Sequence, residues 1–166
     1  MARLIKTLVL FIFIQLSSCN PFAPGLDDVV IDQCDRRTFD GFFECFKNAY
    51  EYRDSTRYGQ IVADTFIFTY FDFINNTQIS WDRGVEMRAT YNMFNRVKSI
   101  SLQWNYYIIA DTISDTLASI ERAFNLFIFQ DDQNVFRGTG SAYLLLARKS
   151  KEDFWKMASW YDKSDF

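Results

Sequence analysis

Histidine is absent from the 166 residues. That one absence removes the commonest general base and metal ligand, so Ser-His-Asp triads, Cys-His pairs and His-Asp dyads are all excluded. No motif in the chain has metal-ligand spacing, and neither a metal nor a cofactor is expected. Proline is nearly absent too: Pro21 and Pro24 are the only two, both close to the N-terminus. Long apolar runs are missing as well. The uninterrupted stretch Leu8 to Ile14 is far shorter than the roughly 20 residues a bilayer-spanning helix needs, so it cannot anchor the chain by itself.

What that stretch does have is context. Arg3 and Lys6 precede it and the small residues Ser17 and Ser18 follow it, which is the order of an export signal. Leu16-Ser17-Ser18-Cys19 resembles the lipobox of bacterial lipoproteins: an aliphatic residue, two small ones, then cysteine. The resemblance implies cleavage before Cys19 and attachment of a diacylglycerol to its thiol, with a further acyl chain on the freed amine. Each buried methylene contributes roughly 0.8 kcal/mol, and a single chain binds only reversibly, so two or three chains make a durable membrane anchor. The alternative is an ordinary secretory signal cut nearby, leaving Cys19 free or disulfide-bonded. Pro21, Pro24, Gly25, Asp27 and Asp28 read as a polar, turn-rich tether. Asn20, rather than Asp, follows Cys19, and in the lipoprotein family this leans towards the outer membrane. The organisation expected is a signal peptide over 1–18, a lipidated cysteine and tether over 19–35, and one domain over 36–166.

Removing residues 1 to 18 leaves 148, a usual size for one domain with a real core. The mature chain keeps 16 basic residues against 21 acidic ones, a net charge of −5, so nucleic acid is not an expected partner. With 18 Phe, 9 Tyr and 4 Trp, the core or a cavity must be built from large flat side chains. Cys34 and Cys45 are the other thiols, and an exported chain meets oxidising conditions. On one continuous helix they would stand about 16 Å apart, too far to bridge. They form a disulfide only if the lead-in folds back along the helix; otherwise they are buried, inert thiols.

Thr38 is a plausible helix cap, Asp40 lies in the first turn, and Phe39, Phe42, Phe43, Phe46 and Tyr50 recur at helical spacing. This predicts one amphipathic helix ending near Arg53 to Ser55, its aromatic face broad enough to need a sheet as cover. Tyr58 to Val62 suits a short helical turn. Phe66 to Phe71 alternates as a strand, and Asn75 to Ser80 reads as a loop. Ser80 is then expected to cap a helix running through Trp81, Val85, Met87, Tyr91 and Phe94, with Asp82 at its start and Arg96 near its end. Four more strands follow at Ile100–Ile109, Leu117–Phe129, Val135–Ala147 and Phe154–Tyr161. Asp131 to Asn134 and Ser150 to Asp153 are short turns that make their strands antiparallel. Gly138 and Gly140 suggest a bulge or sharp bend.

Helices first and long antiparallel strands after make an α+β domain, with the helices on one face of a strongly curved antiparallel β-sheet. This order resembles the nuclear transport factor 2-like superfamily, the cystatin-like cone. The resemblance is carried by "FKNAYEYRD", "YGQIVADTFIFTY", "SWDRGVEMRATYNMF" and "DFWKMASWYD" and covers most of residues 36 to 163. The superfamily includes isomerases, dehydratases, cyclases, transport adaptors and many non-catalytic binding domains, so fold does not give function. Its dehydratase-like and many cyclase-like members rely on histidine, which this chain lacks. It also implies a homodimer through the exposed sheet face as a common arrangement.

Two functional classes follow. The first is a membrane-anchored, non-catalytic module that binds a small apolar ligand or a protein partner. The second is a ketosteroid isomerase-like or cyclase-like enzyme, which needs a carboxylate beside a Tyr in a cavity of about 300 Å³ or more. Among the carboxylates, Asp64 and Asp111 look like turn residues. Glu86 sits among apolar neighbours on the second amphipathic helix, and its ordinary fate would be solvation or pairing with Arg83 or Arg88. Tyr70, Trp81, Tyr91, Tyr143 and Trp160 are the amphipathic rings that could line a pocket with Glu86.

Overall fold

The computed structural model describes residues 34–164; the signal peptide, Cys19 and nearly all of the tether lie outside them. Helix α1 spans Phe39–Glu51, α2 spans Ser55–Ile61 and α3 spans Arg83–Arg96. The strands are β1 (Val62–Asp72), β2 (Thr77–Asp82), β3 (Ser99–Ser114), β4 (Leu117–Phe129), β5 (Val135–Ala147) and β6 (Lys156–Ser164). They form one sheet in the order β2-β1-β6-β5-β4-β3. The sheet is antiparallel throughout except where β1 and β6, distant in sequence, pair in parallel, so the expected all-antiparallel sheet is in fact mixed. The fold is the expected α+β cone: helices on the concave side of a curled sheet.

Each helix starts where a side chain satisfies an amide that has no intrahelical partner. Thr38 Oγ1 accepts from the Gly41 amide at 3.0 Å, Asp54 Oδ1 from Arg57 at 2.9 Å and Asp82 Oδ1 from Val85 at 2.9 Å. Asp82, not Ser80, therefore caps α3. Ser80 and Trp81 belong to β2, where Ser80 Oγ and Thr69 Oγ1 share a hydrogen bond of 2.9 Å. The segment expected as a loop is this strand. It is a short, polar edge strand whose only inward side chains are Ile79 and Trp81, too few to make alternation stand out in sequence. The reversal before it is set by Asp72, which accepts from the Ile74 and Asn75 amides, and by Asn76 at φ 49°, a conformation asparagine tolerates.

Phe42, Phe43, Phe46 and Tyr50 all point from α1 into the core. They meet Phe66 and Phe68 of β1, Ile120 and Phe124 of β4, Leu144 and Leu146 of β5, and Met157 of β6. Burying each such side chain is worth roughly 1.5–3 kcal/mol, and edge-to-face pairs such as Phe43–Trp104, with centroids 4.7 Å apart, add specificity.

The lead-in does fold back along α1. Cys34 and Cys45 form a disulfide with Cα atoms 5.4 Å apart, and Gly41 makes room for the passing chain, since a Cβ there would lie 2.0 Å from the Asp35 carbonyl oxygen. The inert-thiol alternative is thereby set aside. At Gly140 no bulge exists: the β4–β5 register runs unbroken through Gly138 and Gly140. The reason for glycine is instead close approach. Its φ is +151° and a Cβ would sit 2.5 Å from Ser164 Cα, so β6 can end against β5 only here.

Candidate functional site

The mouth of the cone contains a cavity of about 210 Å³. Every structural layer contributes to it through its inward face: Phe46 and Tyr50 from α1, Phe68 from β1 and Trp81 from β2. Glu86, Ala89, Thr90 and Met93 come from α3, Leu102 and Trp104 from β3, Phe124 and Leu126 from β4, and Trp160 and Asp162 from β6. The rings pack against one another around the space. Trp81 stacks on Phe68 at 4.3 Å, Trp160 stands edge-on to Phe68 at 5.1 Å and Phe46 meets Trp104 at 5.3 Å.

Glu86 is not a surface glutamate and does not pair with Arg83 or Arg88; it is 4% exposed. Its Oε1 accepts from the Tyr58 hydroxyl at 2.7 Å and from Thr90 Oγ1 at 3.1 Å, and its Oε2 from Trp81 Nε1 at 2.7 Å. The helix explains part of this, because Thr90 lies one turn further along the same face. The rest is tertiary, since Tyr58 arrives from α2 and Trp81 from β2. Burial, then the Tyr50 and Glu86 charges, push the Tyr58 hydroxyl well above its usual range, and burial with Glu86 does the same to Tyr50. Both hydroxyls therefore stay protonated, Tyr58 donates to Glu86, and the lone pairs of Glu86 are largely taken.

Asp162 is different. Among the described residues it accepts only from Ser164 of its own strand, whose amide lies 3.2 Å from Oδ1 and whose hydroxyl lies 2.8 Å from Oδ2. No ion pair reaches it among the described residues. Burial raises its pKa, with the Ser164 hydrogen bonds pulling the other way. It also lines an adjoining groove of about 180 Å³ with Tyr70, Phe71, Phe73, Tyr161, Lys163 and Ser164, so it stands where the two spaces meet. Two further polar atoms are unsettled. The Nε1 atoms of Trp104 and Trp160 are buried without an acceptor, and both residues line the cavity.

Of the residues expected at a pocket, the structure brings together Trp81, Glu86 and Trp160. Tyr70 misses the cavity and lines the neighbouring groove, its ring 5.7 Å from that of Trp81. Tyr91 is on the solvent side of α3 at 57% exposure, one residue beyond the inward Thr90. Tyr143 lies on the convex face of the sheet, where Lys163 Nζ is 5.4 Å from its ring. Asp64 is exposed and faces Arg83 at 3.9 Å. Asp111 is an exposed strand residue paired with Ser119, not part of a turn.

Asp162 and Trp104 were not anticipated. For Asp162 a signal existed: period two from the inward Trp160 puts residue 162 on the same face. The isomerase-like requirement is met in part, since a buried glutamate does lie beside tyrosines, but the cavity is smaller than about 300 Å³.

Among solved structures, the chain is similar to a conserved protein from Planctomyces limnophilus, with a TM-score of 0.64 and 12% identity over 76% of this chain and 92% of that one. It is also similar to a protein from Novosphingobium aromaticivorans described as a scytalone dehydratase, at TM-score 0.66 and 9% identity over 78% and 83% of the two chains. A third is described as a dehydratase of the nuclear transport factor 2-like family from Streptomyces avermitilis, at TM-score 0.56 and 16% identity over 72% and 88%. At these identities the likeness establishes the cone fold and nothing finer. No protein-family model and no curated protein matches the chain.

Proposed function

We propose that the protein is a lipid-anchored, non-catalytic binding protein of the bacterial envelope, whose cone mouth holds one small ligand with an apolar body. The observation that carries the binding reading is the ring-lined cavity at the cone mouth, apolar over most of its wall and bordered by Glu86 and Asp162. The non-catalytic reading rests on Glu86, whose oxygens already serve three donors and which is not free to act as a base. The anchor reading rests on Leu16-Ser17-Ser18-Cys19 and the tether after it.

Native mass spectrometry of the full chain should show a co-purified small molecule that Trp160→Ala releases. For the anchor, labelling with a fatty-acid analogue should vanish in Cys19→Ala, and persistent label in that variant would sink the lipoprotein reading. One observation favours a second reading. Asp162, with its raised pKa and open side towards the cavity, is the group an isomerase-like enzyme would use as base. Proton exchange into a cyclic ketone that is lost in Asp162→Asn would establish it.

A further inference from the structure

We propose that the ligand of the cone cavity is a small organic cation, an amine or quaternary ammonium. The inference rests on the binding reading above and specifies its ligand class. Three features converge. The cavity is walled by aromatic side chains, among them Phe68, Trp81, Trp104 and Trp160, and a cation held against such rings is attracted to their negative faces, the more so as water is excluded. Apart from the neutral Tyr50, the ionisable groups in the lining are the carboxylates Glu86 and Asp162, and no Lys or Arg among the described residues lines it.

The cations nearby are committed elsewhere. Lys163 Nζ is bound to Glu121 Oε2 at 2.9 Å, and Arg122 lies 3.5 Å from Asp40. An anionic ligand would meet two carboxylates with no Lys or Arg among the described lining residues, whereas a cation would find Asp162, which borders both cavity and groove and has no ion-pair partner among the described residues. The size agrees: about 210 Å³ is below the roughly 300–1,000 Å³ of drug-sized pockets, so the guest has few heavy atoms.

The test is a pair of titrations on the purified full chain, by calorimetry and by tryptophan fluorescence. One uses choline; the other uses 3,3-dimethylbutan-1-ol, which has the same shape and hydroxyl without the charge. Choline should bind at least tenfold more tightly than the neutral alcohol, and benzoate should not bind. Asp162→Asn should weaken choline at least tenfold while leaving the alcohol unchanged, and Trp160→Leu should weaken both. Tyr91→Ala, on the solvent side of α3, should alter neither. Equal or tighter binding of the alcohol, with choline no better, overturns the cation assignment but leaves the binding reading standing. Absence of binding by either probe, together with no co-purified molecule in the native mass spectrum, overturns both.

Discussion

Two carboxylates with one strand between them, Glu121 buried and Asp162 half-buried, have opposite surroundings. On the convex face of the sheet, Glu121 of β4 accepts from Ser141 Oγ at 2.7 Å and from Lys163 Nζ at 2.9 Å. On the concave face, Asp162 of β6 has, among the described residues, only the hydroxyl and amide of its neighbour Ser164. The same strand supplies both situations, because successive residues of β6 point to opposite faces: Lys163 outwards to Glu121, Asp162 inwards to the cavity. Burial pushes the Glu121 carboxyl up, but Ser141 and Lys163 outweigh it and its pKa is lowered; at Asp162 burial wins and the pKa is raised. A fully partnered carboxylate serves the fold. One left with an open side costs stability and stands available to a ligand.

The largest effect expected in this comparison comes from a third carboxylate, partnered like Glu121 but facing the cavity. Glu86→Ala strands the donors of Tyr58, Trp81 and Thr90, and at roughly 1–3 kcal/mol for each buried donor left unpaired the loss should reach about 3 kcal/mol in a denaturant titration. A loss under about 1 kcal/mol would show that the network is not formed. Glu121→Ala should come next, at about 1–2 kcal/mol, because Lys163 is partly exposed and can be resolvated; it should leave cavity binding untouched. Asp162→Asn should act in the opposite direction and raise Tm at neutral pH in the absence of ligand.

The pH dependence of these last two variants separates them further. The folded pKa of Asp162 is raised, so the stability linked to it is present below the ordinary carboxyl value of 3.8 and lost as pH climbs through the folded pKa. The advantage of Asp162→Asn should therefore appear at neutral pH and vanish in acid. For Glu121 the folded pKa is lowered from 4.5, so its contribution is present above that value and lost as pH falls through the folded pKa, and the penalty of Glu121→Ala should shrink in acid. Parallel pH profiles of Tm for the two variants would break the distinction. The smallest effect is at Tyr91→Ala: exposed as it is, it should change stability by no more than about 0.5 kcal/mol.

Much of the architecture was legible where local signals agree with tertiary need. Thr38 caps α1 as its position before an aromatic helical repeat predicts, and the spans of β4 and β5 match the sequence reading residue for residue because alternation and turn residues coincide there. Legibility fell where a partner distant in sequence decides. β2 has too few apolar side chains to announce itself and exists because β1 offers an edge. The parallel pairing of β1 with β6 joins segments that no local pattern links. At the site, aromatic residues were good candidates as a class, yet Tyr91 and Thr90 are neighbours on one helix and only Thr90 faces inwards.

By itself the sequence determined the chemistry available: no histidine, hence no imidazole base or ligand; an acidic balance; an abundance of rings; and a short apolar run, Leu8 to Ile14, ahead of Cys19. It also determined the cone, because amphipathic helices followed by long alternating strands have few ways to bury their faces. Only the tertiary structure decided which carboxylates are free. Whether Glu86, Glu121 or Asp162 meets three donors, an ammonium or an empty cavity depends on where α2, β2 and β5 arrive in space. Hydrogen-bond partners at those sequence separations leave no periodic trace in the chain.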